Sequence, residues 1–202
     1  MRRIKITLLC IAISTLTNCA SGYKMISPKT INYVSSTETD GVKLEYKYDL
    51  LDKKYEKKEL KKGLRLVAIK ITNNSDKDLI FGKDTKLTYI NGNEIEVMEN
   101  TKAFNTIKQS TASYLFYLLL TPMNLYTTGT DGQQTSSTPI GLVVGPGLTA
   151  GNMIAAGSAN NKLKTEMLEY NINGTVIKKG ETKYGLIGIK ADSFDTLKLK
   201  IE

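Results

Sequence analysis

Histidine is absent from all 202 residues, and cysteine occurs only as Cys10 and Cys19. Without imidazole, the commonest general base, the serine and cysteine protease triads and every His-containing metal site are excluded. Any remaining chemistry has to come from paired carboxylates, a Ser–Lys dyad or a metal held by Asp and Glu. The acidic residues sit instead among lysines on strand faces, as Glu45 does beside Lys43 and Lys47, which is how cross-strand ion pairs look. No calcium loop, phosphate loop or dinucleotide fingerprint occurs, and the glycines near Gly141 follow no P-loop lysine pattern. The reading therefore expects no catalytic residue, no metal site and no cofactor. Asn73-Asn74-Ser75 and Asn173-Gly174-Thr175 fit the N-glycosylation sequon but read as turns, and Asp195-Thr196-Leu197 is a short triplet of the kind that arises by chance.

Cys19 is the residue with a chemistry of its own. The order Met1-Arg2-Arg3-Ile4-Lys5, then an apolar run over 6–16 too short to span a bilayer, is that of a secretory leader. Leu16-Thr17-Asn18-Cys19 follows, and this segment resembles the lipobox of bacterial lipoproteins, with Asn where Gly, Ala or Ser is commoner. The resemblance implies cleavage after residue 18 and a diacylglyceryl thioether plus an N-acyl group on Cys19. At about 0.8 kcal/mol per buried CH₂, several acyl chains hold a protein at the bilayer essentially permanently. Cys10 leaves with the leader, so the mature chain has no disulfide and no thiol catalysis. By analogy with lipoprotein sorting, the non-acidic Ala20 implies the outer membrane. Ser21-Gly22-Tyr23-Lys24 lacks the acidic cluster of surface-exported lipoproteins of the Bacteroidota, which the segment otherwise resembles, and this implies a periplasm-facing protein.

Arg2, Arg3 and Lys5 account for three of the formal +8 charges. The remaining lysine-borne excess suits a solvated surface and implies no nucleic-acid partner.

The elements around these residues fall into two charged β blocks. Over 42–50, Val42, Leu44, Tyr46, Tyr48 and Leu50 alternate with charged residues, predicting a half-buried strand. The lysine-rich stretch 52–63 reads as a solvated hairpin connection. Strand 64–72 is apolar on both faces and wants cover on both; 79–81 is a short strand, and 86–90 with 94–98 flank the hairpin signal Asn91-Gly92. In the carboxyl block, strand 183–189 is again apolar on both faces, with Gly185 and Gly188 permitting close approach, and Leu197, Leu199 and Ile201 alternate with charges.

Between the blocks, 103–161 contains only Lys108 and Asp131 as charges. The reading expects a helix over 106–120, a polar loop over 131–138 and a helix over 148–166, with Pro146 breaking the run before it. Gly141 and Gly145, and Gly147 and Gly151, have the small-xxx-small spacing that lets helices pack closely in membranes. Tyr114, Phe116, Leu118, Leu119, Met153 and Ile154 are the candidate membrane or partner contacts. The competing expectation is that these helices cover the outer faces of strands 64–72 and 183–189 and bury Phe116.

The resulting domain plan is a signal peptide at 1–18, a tether at 19–30 and a β-sandwich domain at 31–202 interrupted by a helical insert at about 103–166. Over roughly 31–98 and 171–202 the pattern resembles an immunoglobulin-like antiparallel sandwich of about seven strands, an accessory domain common in bacterial lipoproteins, and with the helical insert the fold class is mainly β (α+β). The expected function is a membrane-anchored, non-catalytic binding or structural module, with the bilayer and an envelope protein as partners. The alternative is a carboxylate- or metal-dependent envelope enzyme, which would need two or more converging carboxylates free of lysine partners.

Overall fold

The period-two segment at 42–50 forms strand β2 (Val42–Lys47), with Val42, Leu44 and Tyr46 buried and the alternate residues half exposed. The computed structural model describes residues 19–191 and 193–202; the segment expected to be a signal peptide, with Cys10 and Leu16-Thr17-Asn18, lies outside the described residues. These divide into two units, one of 19–22 with 109–159 and a larger one of 23–108 with 160–202.

In the larger unit, β1 (Ser35–Thr39), β2, β3 (Leu64–Asn73), β10 (Thr182–Lys190) and β6 (Val97–Met98) form an antiparallel sheet in the order β1-β2-β3-β10-β6. Two further antiparallel pairs complete the β structure here, β5 (Thr85–Tyr89) with β11 (Leu197–Ile201) and β4 (Leu79–Ile80) with β9 (Val176–Ile177). Val67, Ile69 and Ile71 of β3 and Ile187 and Ile189 of β10 join Leu79, Leu87, Ile177, Leu197 and Leu199 in one core cluster. The pairs therefore cover one face of the five-stranded sheet.

The other face is covered by helices. Leu64, Leu66 and Ala68 of β3 and Leu186 of β10 are fully or almost fully buried there. Helix α1 (Lys53–Lys61) packs on β3, and α2 (Asn100–Ile107) packs on α1 and β10. Residues from Asn160 onward of α3 (Gly141–Glu169) join them: Tyr55 Oη donates to Asn160 Oδ1 at 3.0 Å, and the Asn100 amide donates to the carbonyl of Met167. A Cβ on Gly188 would stand 2.6 Å from the Cβ of Ala103, so the missing side chain sets how closely α2 seats on β10. Both apolar faces are thus covered, the second by α1, α2 and the end of α3 rather than by the expected pair of helices over 106–120 and 148–166, and Gly185 serves a different neighbour, the Ile172 side chain, where a Cβ would meet 2.8 Å.

Several expectations are corrected. The 52–63 stretch is helix α1, not a hairpin connection, because Leu51, Tyr55 and Glu59 fall four apart on one buried face. Among the described residues nine strands, rather than about seven, lie in the two β blocks, and helix and strand contribute in similar measure overall, so the α+β character holds, with antiparallel sheets, but strand does not predominate. Asn91-Gly92 makes its turn, with Gly92 at φ 87° and its N–H donating to the Tyr89 carbonyl. The second arm stays with β5 through the Thr88–Glu94 bridge and the Tyr89 N–H to Asn93 carbonyl and Ile95 N–H to Leu87 carbonyl bonds, and then crosses to pair with β10 as β6.

In the smaller unit, the helix expected over 106–120 is two elements: α2 ends at Ile107, and a 3-10 helix spans Ala112–Leu120. The expected polar loop is a hairpin, β7 (Leu125–Thr128) against β8 (Gln134–Thr138). Its Thr and Ser side chains bond across the strands, as between the Thr127 and Ser136 hydroxyls at 2.5 Å. Helix α3 begins at Gly141 and runs through Pro146. The ring removes the donor that would reach the carbonyl of Leu142, a residue exposed enough for water to replace it.

Candidate functional site

The smaller unit is organised by the three-residue period of its 3-10 helix. With 3.0 residues per turn, positions i and i+3 lie on one ridge. Tyr114 and Tyr117 are buried and Leu120 packs on them, whereas Phe116 and Leu119, on the next ridge, are 73% and 74% exposed. Leu115 and Leu118 form the third ridge, at intermediate values of 49% and 43%. Phe116 is therefore not a core residue, and the expectation that it packs internally is overturned.

Helix α3 supplies the complementary surface with small and polar residues. Gly141, Gly145, Thr149, Asn152 and Ala156 recur three or four apart and are buried, one stripe of a helix. A Cβ on Gly141 would collide with the carbonyls of Leu120 and Thr121, and one on Gly145 would lie 3.1 Å from the carbonyl of Tyr117. The Thr149 hydroxyl donates to the Tyr114 carbonyl at 3.2 Å. The opposite side of the same helix turns is apolar and open, with Leu142, Val143 and Ile154 exposed.

Cys19 belongs to this unit and is exposed. The Ala20 N–H donates to Asn152 Oδ1 at 2.5 Å. Ser21 exchanges two bonds with Gln109, its N–H donating to Oε1 at 2.9 Å and its carbonyl accepting from Nε2 at 2.6 Å. Burial first, and then the neighbouring Cys19 thiol, raise the Tyr117 hydroxyl above its usual pKa. Of the residues named from the sequence, Phe116, Leu118, Leu119 and Ile154 are at the surface; Tyr114 is buried, and Met153 is half-buried against the tyrosine cluster.

In the larger unit, residues 23–27 are also bound down. The buried Glu166 carboxylate accepts from Tyr23 Oη at 2.6 Å, the Ile26 N–H at 3.0 Å and the Ser27 N–H at 2.6 Å. The 19–30 stretch is thus hydrogen bonded within both units.

A cleft of about 460 Å³ opens in the larger unit, walled by Ile80, Phe81, Leu87 and Ile95, with Lys83, Lys86 and Glu94 among its polar residues. Glu94 lies 3.1 Å from Lys200 and 3.8 Å from Lys86, which itself pairs with Glu202 at 2.8 Å. A neutralised carboxylate of this kind is a poor general base, and the cleft is suited to an apolar side chain.

Glu59 differs from these carboxylates. Buried under α1, it accepts the Leu66 N–H at 2.6 Å. Burial pushes its carboxyl up to about 7, against the smaller opposing effects of the Leu66 N–H and Arg65. Sequence reasoning missed both Glu59 and Glu166, and the only available signal was Glu59 lying four residues after Tyr55. Among the described residues no group of three or more Cys, Asp or Glu stands where it could hold a metal ion.

Comparison with known proteins adds no family: no family model, no curated protein and no solved structure matches this chain.

Proposed function

We propose that this chain is a lipid-anchored lipoprotein of the bacterial envelope, facing the periplasm from the outer membrane, and that it works as a non-catalytic binding or structural module. One observation carries the reading. The cysteine that ends the Leu16-Thr17-Asn18-Cys19 motif is exposed on the unit that also displays Phe116, Leu119, Val143 and Ile154 to the outside. A large exposed apolar surface is the mark of a binding site. The antiparallel layers of the larger unit support an immunoglobulin-like sandwich as the scaffold, and its cleft between Phe81 and Ile95 suits an apolar side chain of an envelope protein. The carboxylates that an enzyme would draw on are engaged with lysines at Glu45, Glu94, Glu181 and Glu202.

The test is metabolic labelling of cells with an alkyne fatty acid, comparing the native chain with Cys19→Ser. Labelling that disappears in the variant supports the anchor; equal labelling of both refutes it. Mild crosslinking followed by co-purification then reports whether an envelope protein is held.

A further inference from the structure

We infer that the ligand of the smaller unit's apolar surface is the lipid bilayer, so that the ridge of Phe116 and Leu119 and the open side of α3 at Val143 and Ile154 lie among acyl chains beside the anchor. The inference rests on the reading of Cys19 as the lipidated residue and assigns the surface next to it.

Three features point to lipid rather than protein. First, α3 within this unit has its polarity reversed. Glycine, threonine, asparagine and alanine of α3 face inward against the 3-10 helix, while Leu142, Val143 and Ile154 face outward. In water the apolar residues would be the buried ones. Small residues between helix backbones with apolar residues outside is the arrangement that apolar surroundings favour, since lipid gives no drive to bury the large side chains.

Second, the described residues of this unit carry one formal charge, Asp131, in the β7–β8 turn. A protein docking site has a polar, charged rim around its apolar centre. A surface entering hydrocarbon excludes charge because desolvating it is costly.

Third, Cys19 has no slack. The next two residues are bonded to Asn152 and Gln109 of the same unit, so acyl chains on Cys19 bring this unit to the bilayer surface. No helix among the described residues is long and apolar enough to cross a membrane. The unit therefore lies in the interface, at the depth of about 5–10 Å reached by in-plane apolar faces.

Full-length protein reconstituted into phosphatidylethanolamine–phosphatidylglycerol vesicles tests this directly. A photoreactive benzoyl-phenylalanine replaces Phe116, Leu119 or Val143, one at a time, and replaces Ile90, which is 74% exposed in the larger unit, as the control. After irradiation, mass spectrometry should find phospholipid adducts at the three test positions at least tenfold above the Ile90 position. Equal yields at all four positions would overturn the inference, as would crosslinking in intact cells to a second protein instead of lipid. Analysing the acyl group in the same samples separates the two readings. An acylated Cys19 without adducts defeats the bilayer surface and leaves the anchor standing, whereas adducts on a chain with an unmodified Cys19 support the surface and defeat the anchor.

Discussion

The sheet of the larger unit and the helix α3 of the smaller one sort small and apolar residues in opposite directions. The larger buries Leu66, Ile69, Ile71 and Ile187 between a sheet and its cover and turns lysine and glutamate outward. The smaller buries Gly141, Gly145, Thr149 and Asn152 and turns Phe116, Leu119 and Val143 outward. In the first, removing apolar area from water supplies most of the stabilisation. In the second, contact comes from close backbone approach, as of Gly141 and Gly145 to the carbonyls of Leu120 and Tyr117. A fold can thus be read for its surroundings by asking which chemistry it has put inside.

The largest effect that probes this contrast is a matched pair of truncations. Ile69, fully buried in the middle of the sheet, should cost about 2–5 kcal/mol on Ile69→Ala, from lost transfer energy and the cavity left behind. Phe116→Ser, although it removes a larger side chain, should stay within about 0.5 kcal/mol in urea denaturation because that ring is already exposed. A comparable loss for both variants would erase the distinction between the units.

Next comes the buried acid of the larger unit. The Glu59 carboxyl, raised by burial to about 7, binds a proton in the folded state over a range where the unfolded chain has released it. Stability from this group is therefore complete below the unfolded value near 4.5 and is lost as pH rises to about 7, by on the order of 3 kcal/mol. Glu59→Gln can still accept the Leu66 N–H, so it should flatten that part of the pH profile and be the more stable form at pH 8. Thermal melts between pH 4 and pH 8 check the sign.

A smaller effect belongs to the contact of α2 with β10. Gly188→Ala places a methyl group 2.6 Å from Ala103 Cβ and should cost about 1–3 kcal/mol as overpacking. Adding Ala103→Gly should recover part of that loss, as measured by a double-mutant cycle. The smallest effect is expected at the Glu45–Lys70 pair, 2.8 Å apart on the open part of the sheet. The bond to Lys70 holds the Glu45 carboxyl below its ordinary range, so the contribution is present at neutral pH and fades as pH falls through that lowered value. Glu45→Gln should cost no more than about 1 kcal/mol at pH 7 after solvent screening, and less in high salt.

Strands β2 and β11 were legible in the sequence because side chains alternate with period two whatever lies opposite them, and β3 and β10 because a short run that is apolar on both faces marks a strand covered on both. Helix α1 was not, since its buried face consists of Tyr55 and the carboxylate of Glu59 amid lysines, and a pattern of apolar residues cannot mark a face that is half acid. The β7–β8 hairpin escaped for a related reason: all of its strand residues are exposed, leaving no apolar alternation to read. Pro146 misled because helix interruption depends on whether the freed carbonyl finds water, and that is a property of position in the fold.

By itself, the sequence determined the chemistry that is out of reach, through the lack of histidine, and it determined the order of basic residues, apolar run and Cys19. It also determined that 103–161 is nearly free of charge, since charge is a property of residue type alone. Tertiary structure decided which apolar residues of 114–120 face outward. A run of seven apolar or aromatic residues carries no internal period, and the choice of three residues per turn over 3.6 put Tyr114 and Tyr117 inside and Phe116 and Leu119 outside. It likewise decided the partners of Glu59 and Glu166, which are the Leu66 N–H in one case and Tyr23, Ile26 and Ser27 in the other. Glu166 meets its donors across some 140 residues of chain, a distance over which no local pattern in the sequence carries information.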